Sequence, residues 1–282
     1  MDIYSIITEK IIASLEGGVI PWRKPWVSGL PSNYITEKPY SGINLLLLGM
    51  PQYSSPYWLT FKQVDKLGGS VKKGEKGSFI VYYTFVNKTD SIVDDEGEEL
   101  INLKSYPVLK YYKVWNWEQT TGLPEKKLHE FDTTYLDNCD DLVRNIIDKP
   151  VIKTGGKACY QPSTDYIFMP DIKSFLSSEE YYSTLFHELT HWTGHHSRLN
   201  REGLKKIAFG SECYSKEELV AEMGASFLCG VSGISGKVID NSTAYIQSWL
   251  KVIKGDKKFI LSAAAQAQKA VDFILNRQSS DE

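Results

Sequence analysis

The chain has 282 residues, 42% apolar and 24% charged, with a formal net charge of −3. This length suits one large or two ordinary domains with real cores and excludes a disordered or fibrous chain. No apolar run approaches a membrane span, Leu45 to Leu48 being far too short. The four cysteines, Cys139, Cys159, Cys213 and Cys229, are scattered without a CxxC pair, which argues against a disulfide framework or a zinc knuckle. Met1 to Ser5 carries no basic leader, so a cytoplasmic protein without membrane association is expected.

Ile3, Ile6, Ile7, Ile11 and Leu15 recur near a 3.6 period, which predicts a helix over 2–16 stopped by Gly17-Gly18. Pro21-Trp22-Arg23-Lys24-Pro25-Trp26 follows as an extended loop. Residues 43–50 predict a second helix, and Thr60 caps a third from Phe61 to Leu67, closed by Gly68-Gly69. Phe79 to Val86 and Val108 to Trp115 are β-branched and aromatic and predict strands. Between them Asp90, Asp94, Asp95, Glu96, Glu98 and Glu99 predict an acidic loop. Pro124 to Asp132 reads as a linker, and a helix over 135–148 opens the second half. Ala158 to Pro170 predicts two short strands around a Pro-Ser-Thr-Asp turn. Ser177 or Ser178 caps the next helix, with Glu179 and Glu180 favourable in its first turn. Late helices follow near 238–254 and 257–276. The pattern predicts a two-domain α+β protein, divided into residues 1–130 and 131–282.

Charge is uneven. Residues 1–89 carry ten Lys/Arg against six Asp/Glu, whereas 151–282 carry fifteen of each. The N-terminal half interleaves cations with rings: Trp22, Arg23, Lys24 and Trp26, then Tyr40 and Asn44, then Lys72, Lys73 and Lys76 before an aromatic strand. Cations can track phosphates while flat rings stack on unpaired bases. The same residues equally suit core packing and solvated turns, and composition leaves both readings open.

The C-terminal half is more specific. Four of the five histidines lie between 187 and 196, and His187-Glu188-Leu189-Thr190-His191 has the HExxH spacing. Residues four apart on a helix share a face, so the two imidazoles converge as metal ligands. Glu188 is placed to act as general base on water at the metal. Ser197 stands where a metzincin carries its third histidine, so the third ligand must come from elsewhere. Lys216-Glu217-Glu218-Leu219-Val220-Ala221-Glu222-Met223-Gly224-Ala225 offers Glu218 and Glu222 on one helical face, with small residues that allow close packing. Here Glu218 completes the site and Glu222 supports a histidine ligand from behind, although spacing alone admits the reverse order. The segment resembles the ExxxD/E element of gluzincin metallopeptidases. Tyr160, Tyr214 and His196 are candidates to stabilise an oxyanion.

Taken in order, IPWRKPW at 20–26, YSGIN at 40–44, WLTFKQ at 58–63, VKKGEKG at 71–77 and YKVWN at 112–116 resemble the N-terminal domain of ArdC-type antirestriction proteins. YQP at 160–162, the HELTH segment and KEELVAEMGASFL are similar to the metallopeptidase domain of the same family. The resemblance implies an N-terminal domain that binds single-stranded DNA and a C-terminal zincin-like, gluzincin-type domain holding one Zn2+ or another divalent metal. It further implies a peptide or protein substrate, carriage on a mobile element and protection of incoming DNA from restriction. The acidic stretch from Asp90 to Glu99 departs from a common form of the pattern.

Overall fold

A computed structural model describes all residues except 1, 18–19, 22–29, 52, 94–98, 127–134, 205–211, 235–241 and 278–282. Helix α1 (Ile3–Glu16) starts where Asp2 accepts a hydrogen bond from the Ser5 amide at 2.9 Å. Ile7, Ile11 and Leu15 form its buried stripe. Helix α2 (Ile43–Gly49) is apolar apart from Asn44, and Leu45 through Leu48 are all buried, as a helix that is hydrophobic almost all round requires. A capping box starts helix α3 (Phe61–Lys66): the Gln63 amide donates to Thr60 Oγ1 at 3.3 Å and the Thr60 amide donates to Gln63 Oε1 at 2.8 Å.

The first sheet has the order β1 (Ser32–Asn33), β2 (Tyr57–Thr60), β5 (Glu99–Asn116), β4 (Ser78–Val93). β1 runs parallel to β2, and the other pairs are antiparallel. The hairpin of β4 and β5 is longer than the sequence predicts, with Ser78 opposite Val114 at one end and Val93 opposite Glu99 at the other. The acidic stretch is therefore strand at both ends, and only 94–98, outside the described residues, joins them. Cross-strand pairing has overridden a local composition that favours a loop. β3 (Ser70–Val71) and β6 (Thr120–Thr121) form a small ribbon.

The second half opens on α4 (Tyr135–Arg144) and a three-stranded sheet ordered β7 (Val151–Thr154), β9 (Tyr166–Met169), β8 (Cys159–Gln161). β8 and β9 are the predicted hairpin, and β7 adds a parallel edge too short to show a period. Four helices follow: α5 (Ser178–Thr193), α6 (Glu212–Ser232), α7 (Ser242–Gly255) and α8 (Phe259–Ile274). No helix among the described residues is long and apolar enough to cross a membrane.

One apolar cluster runs through both halves. Ile7 and Ile11 of α1 and Leu45 and Leu46 of α2 share it with Trp249 and Ile253 of α7, Ile260 and Ala264 of α8, and Phe186 of α5. Polar contacts fasten the same seam. Thr8 Oγ1 donates to the Lys257 carbonyl at 2.7 Å, the Gly42 amide donates to Gln268 Oε1 at 3.1 Å, and Lys254 pairs with Glu16 at 2.6 Å.

Candidate metal centre

Ser177 starts α5, accepting from the Glu180 amide at 3.3 Å, while Glu180 accepts from the Leu176 amide at 3.0 Å. The helix then buries every residue from Thr184 to Thr193, so His187, Glu188 and His191 must find partners inside the protein. Helix α6 supplies them. A Cβ on Gly224 would lie 2.5 Å from Thr190 Cγ2 of α5. Only glycine allows this approach, and it carries Glu218 onto the histidines.

His187 Nε2 and His191 Nε2 lie 3.1 Å apart. Glu218 Oε2 is 3.5 Å from the first and Glu218 Oε1 is 3.4 Å from the second. A tetrahedral ion with bonds of about 2.0–2.1 Å sets its ligands roughly 3.3–3.4 Å apart, so this triangle has the size of one face of such a site. Two imidazole nitrogens facing each other at this distance can share at most one proton, or one cation. These donors fit a divalent metal.

The ring nitrogens turned away from the triangle are also engaged. His187 Nδ1 is 3.8 Å from Glu222 Oε1. His191 Nδ1 is 3.2 Å from Glu217 Oε1, and Arg201 donates to that same oxygen through Nη2 at 2.7 Å. Arg201 further holds the Thr190 carbonyl at 2.6 Å and Thr193 Oγ1 at 2.7 Å. Glu217 and Arg201 are both buried, and sequence reasoning does not single them out. The one signal available is three glutamates in E-E-x-x-x-E spacing, too many for two roles. Burial alone pushes the pKa of His191 down, but the Glu217 and Glu218 carboxylates outweigh it and raise it to about 10. Burial raises the carboxyl of Glu218, and the two imidazoles outweigh that and hold it far below the usual carboxylate range.

Glu188 sits beside this triangle in sequence, and its Oε2 accepts the Tyr160 amide of β8 at 2.7 Å. The Tyr160 hydroxyl donates to Asp165 Oδ1 at 2.8 Å, and Arg198 Nη1 donates to Asp165 Oδ2 at 2.9 Å. Arg198 also donates to the Trp192 carbonyl at 2.8 Å and lies over its ring. This chain of contacts ties the β8–β9 turn to the end of α5. It also commits the Tyr160 hydroxyl hydrogen to Asp165, away from the role of oxyanion donor. His196 is exposed beside His195, and the Tyr214 side chain lies outside the described residues.

The residues picked for DNA scatter more widely. Trp22, Arg23, Lys24 and Trp26 lie outside the described residues. Asn44 holds the sheet: its Nδ2 donates to the Val81 carbonyl and its Oδ1 accepts the Val81 amide, both at 2.8 Å. That occupies its amide with the edge of β4. Tyr40 is half-buried between α2 and the sheet, where burial raises its hydroxyl pKa. Lys72, Lys73 and Lys76 are exposed on the loop leading into β4, and Lys72 Nζ donates to the Glu118 carbonyl at 2.7 Å.

Residues 1–115 match the N-terminal domain of the anti-restriction factor ArdC, and residues 137–266 match a zincin-like metallopeptidase family. A crystal structure of the antirestriction ArdC protein from the R388 plasmid, metal-free, is 40% identical to this chain with a TM-score of 0.79, over 99% of this chain and 100% of that one. The Mn(II)-bound structure of that protein gives 38% identity and a TM-score of 0.76, over the whole of both chains. A DNA primase TraC of Escherichia coli is 35% identical over 96% of this chain. The chain spans only about a fifth of that primase, 20% of its length. With a metallopeptidase-like site on α5 and α6 and a whole-chain match to an antirestriction protein, this chain belongs to the ArdC-type antirestriction family.

Proposed function

We propose that this chain protects incoming plasmid DNA from restriction by binding it as single strands through its N-terminal half, while its C-terminal half is a single-metal peptidase site. We divide the two halves near residue 130, a position that lies between the two matched regions. His187, His191 and Glu218 hold the ion, and Glu222 and Glu217 orient the two imidazoles from behind. We take the ion to be zinc, which two imidazoles and a carboxylate suit; the relative solved with Mn(II) makes the choice a question for elemental analysis. A divalent cation here supplies Lewis-acid polarisation and lowers the pKa of water. Glu188 takes up the proton as general base, and the Tyr160 amide holds its carboxylate in place. A peptide bond is the expected substrate.

The observation that carries this reading is the triangle of His187, His191 and Glu218, with Glu188 held beside it. The DNA half rests on the family match and on the exposed lysines 72, 73 and 76, together with Trp22, Arg23, Lys24 and Trp26. Plasmid transfer into a restricting host tests how the halves contribute. We expect Trp22→Ala combined with Lys72→Ala to abolish protection, and Glu188→Gln to leave most of it. Full loss of protection in Glu188→Gln would overturn that order and make proteolysis the carrier.

A further inference from the structure

The hairpin of β4 and β5 has one face packed on helices and one that, beyond its first cross-strand pair, no described residue covers. Phe79, Val81 and Leu109 lie on the packed face, joined to the main core. On the other face successive cross-strand pairs are Ile80 with Tyr112, Tyr82 with Lys110, Thr84 with Val108, and Val86 with Tyr106. The first pair meets the small cluster of Leu48, Trp58 and Val114 through Ile80. Beyond it the face is open. Tyr82, Tyr106 and Tyr112 are 46%, 44% and 47% exposed, and Val86 and Val108 are exposed too.

An antiparallel sheet that turns one face to water normally puts polar side chains there. Here the outward positions are rings and branched aliphatics, with Lys110 among them. Exposed apolar area of this kind marks a binding surface. Charge says what it binds. Along the outward positions of the register, 80 to 88 on β4 and 104 to 112 on β5, the sequence has Lys88, Lys104 and Lys110 and no Asp or Glu. Three cations and no anion along these outward positions suit a polyanion far better than a second apolar protein surface; the acids of the two strands, Asp90 and Glu99, lie beyond them toward the far end of the hairpin. Tyr82 and Tyr112 are in ring contact, with centroids 6.2 Å apart, and form one continuous aromatic surface. Tyr106 opposes Val86, four residues and about 14 Å further along the strand.

We propose that this open face of the β4–β5 hairpin is where single-stranded DNA lies, its bases stacking on Tyr82, Tyr112 and Tyr106 and its phosphates drawn to Lys110. The proposal rests on the reading that this chain binds single-stranded DNA, and within the aromatic strands that suit stacking it singles out the residues of one open face. Stacking needs an unpaired base and a ring but no hydroxyl, and that distinction shapes the test.

Fluorescence anisotropy of the full chain with a labelled oligothymidine of about 16 nucleotides reads the affinity. Tyr82→Leu and Tyr112→Leu should each weaken binding by about tenfold, the scale of one lost base stack, while Tyr82→Phe and Tyr112→Phe bind as the wild type does. Lys110→Gln should flatten the dependence of log affinity on log salt by about 0.7, one phosphate on a single strand. Photo-crosslinking to a bromodeoxyuridine oligonucleotide should recover peptides containing Tyr82, Tyr106 or Tyr112. If the wild type binds and the leucine variants bind equally well, this platform is wrong while the DNA-binding reading stands. No binding by the wild type overturns both. If the leucine variants instead change the sedimentation of the free protein at unaltered DNA affinity, the face is a protein contact and the proposal fails.

Discussion

The backbone amide of Tyr160 donates to the carboxylate of Glu188 at 2.7 Å. The proposed general base and the edge strand of a sheet are thereby fixed to one another. The same strand is anchored through Tyr160, Asp165 and Arg198 to the end of the helix that carries Glu188. Helix α5 thus carries the site between two neighbours, α6 on one side and the β8–β9 hairpin on the other.

Glu188→Gln keeps an oxygen that accepts the Tyr160 amide but cannot take up a proton. The variant should keep its metal content and its thermal midpoint while losing peptide hydrolysis by about 10²–10⁴-fold. Elemental analysis beside an assay on a peptide library checks this. Retained turnover would remove Glu188 from the role of base.

His187→Ala and Glu218→Ala should each abolish metal binding, because either change leaves only two donors. Glu222→Ala should weaken it by about 10–100-fold, the usual effect of a group behind the ligand. Metal titration followed by mass spectrometry under native conditions distinguishes these. If Glu222→Ala empties the site and Glu218→Ala does not, the two glutamates exchange roles.

Metal binding should release protons and strengthen as pH rises. His191 is held at about 10 and His187 is also raised, so the histidine pair carries an added proton at neutral pH in the metal-free protein. Raised folded-state values stabilise that state fully below the ordinary histidine pKa, and the effect is lost as pH climbs through about 10. The ion must displace that proton. Calorimetry in buffers of different ionisation enthalpy should show proton release at pH 7. A buffer-independent heat would contradict this.

Gly224→Val forces a side chain into the space now held by Thr190. It should cost about 1–3 kcal/mol of stability and also lower metal affinity, since α6 can no longer bring Glu218 forward. A drop in stability with unchanged metal affinity would mean that the helices adjust without moving the ligand.

Glu217→Ala strands Arg201, whose charge is buried and otherwise faces a carbonyl and a hydroxyl. The expected cost is about 3–5 kcal/mol, the range for removing one partner of a buried pair. Glu217→Gln should cost less. Chemical denaturation of both variants gives the comparison, and equal small losses would show that the pair is wet.

The metal helix is legible in the sequence because its signals are local: a serine cap, acids in the first turn and two histidines at a spacing set by helix pitch. Glu218 and Glu222 are reachable for the same reason, since ExxxE sets both carboxylates on one helical face, although spacing alone does not order them. Glu217 is hidden because its partner, Arg201, comes from the turn after α5, and no spacing rule joins the two. Asn44 misleads for a related reason. An asparagine beside tyrosines in a basic region reads as a ligand-binding group, yet its amide completes the edge of a strand almost forty residues away. The two-residue strands β1, β3 and β6 are beyond reach, being shorter than any period. The acidic stretch reads as loop when composition alone is weighed, because the reach of the partner strand leaves no local mark.

The core that joins α1 and α2 to α7 and α8 has a consequence for how this protein is inherited. Its first helix and its last share one apolar cluster, so loss of the N-terminal half uncovers Trp249 and Ile260, and loss of the C-terminal half uncovers Ile7 and Ile11. A chain built this way should pass between larger proteins whole. The alignment with a primase several times longer has that form: 96% of this chain is retained, inside a protein of which it makes up 20%.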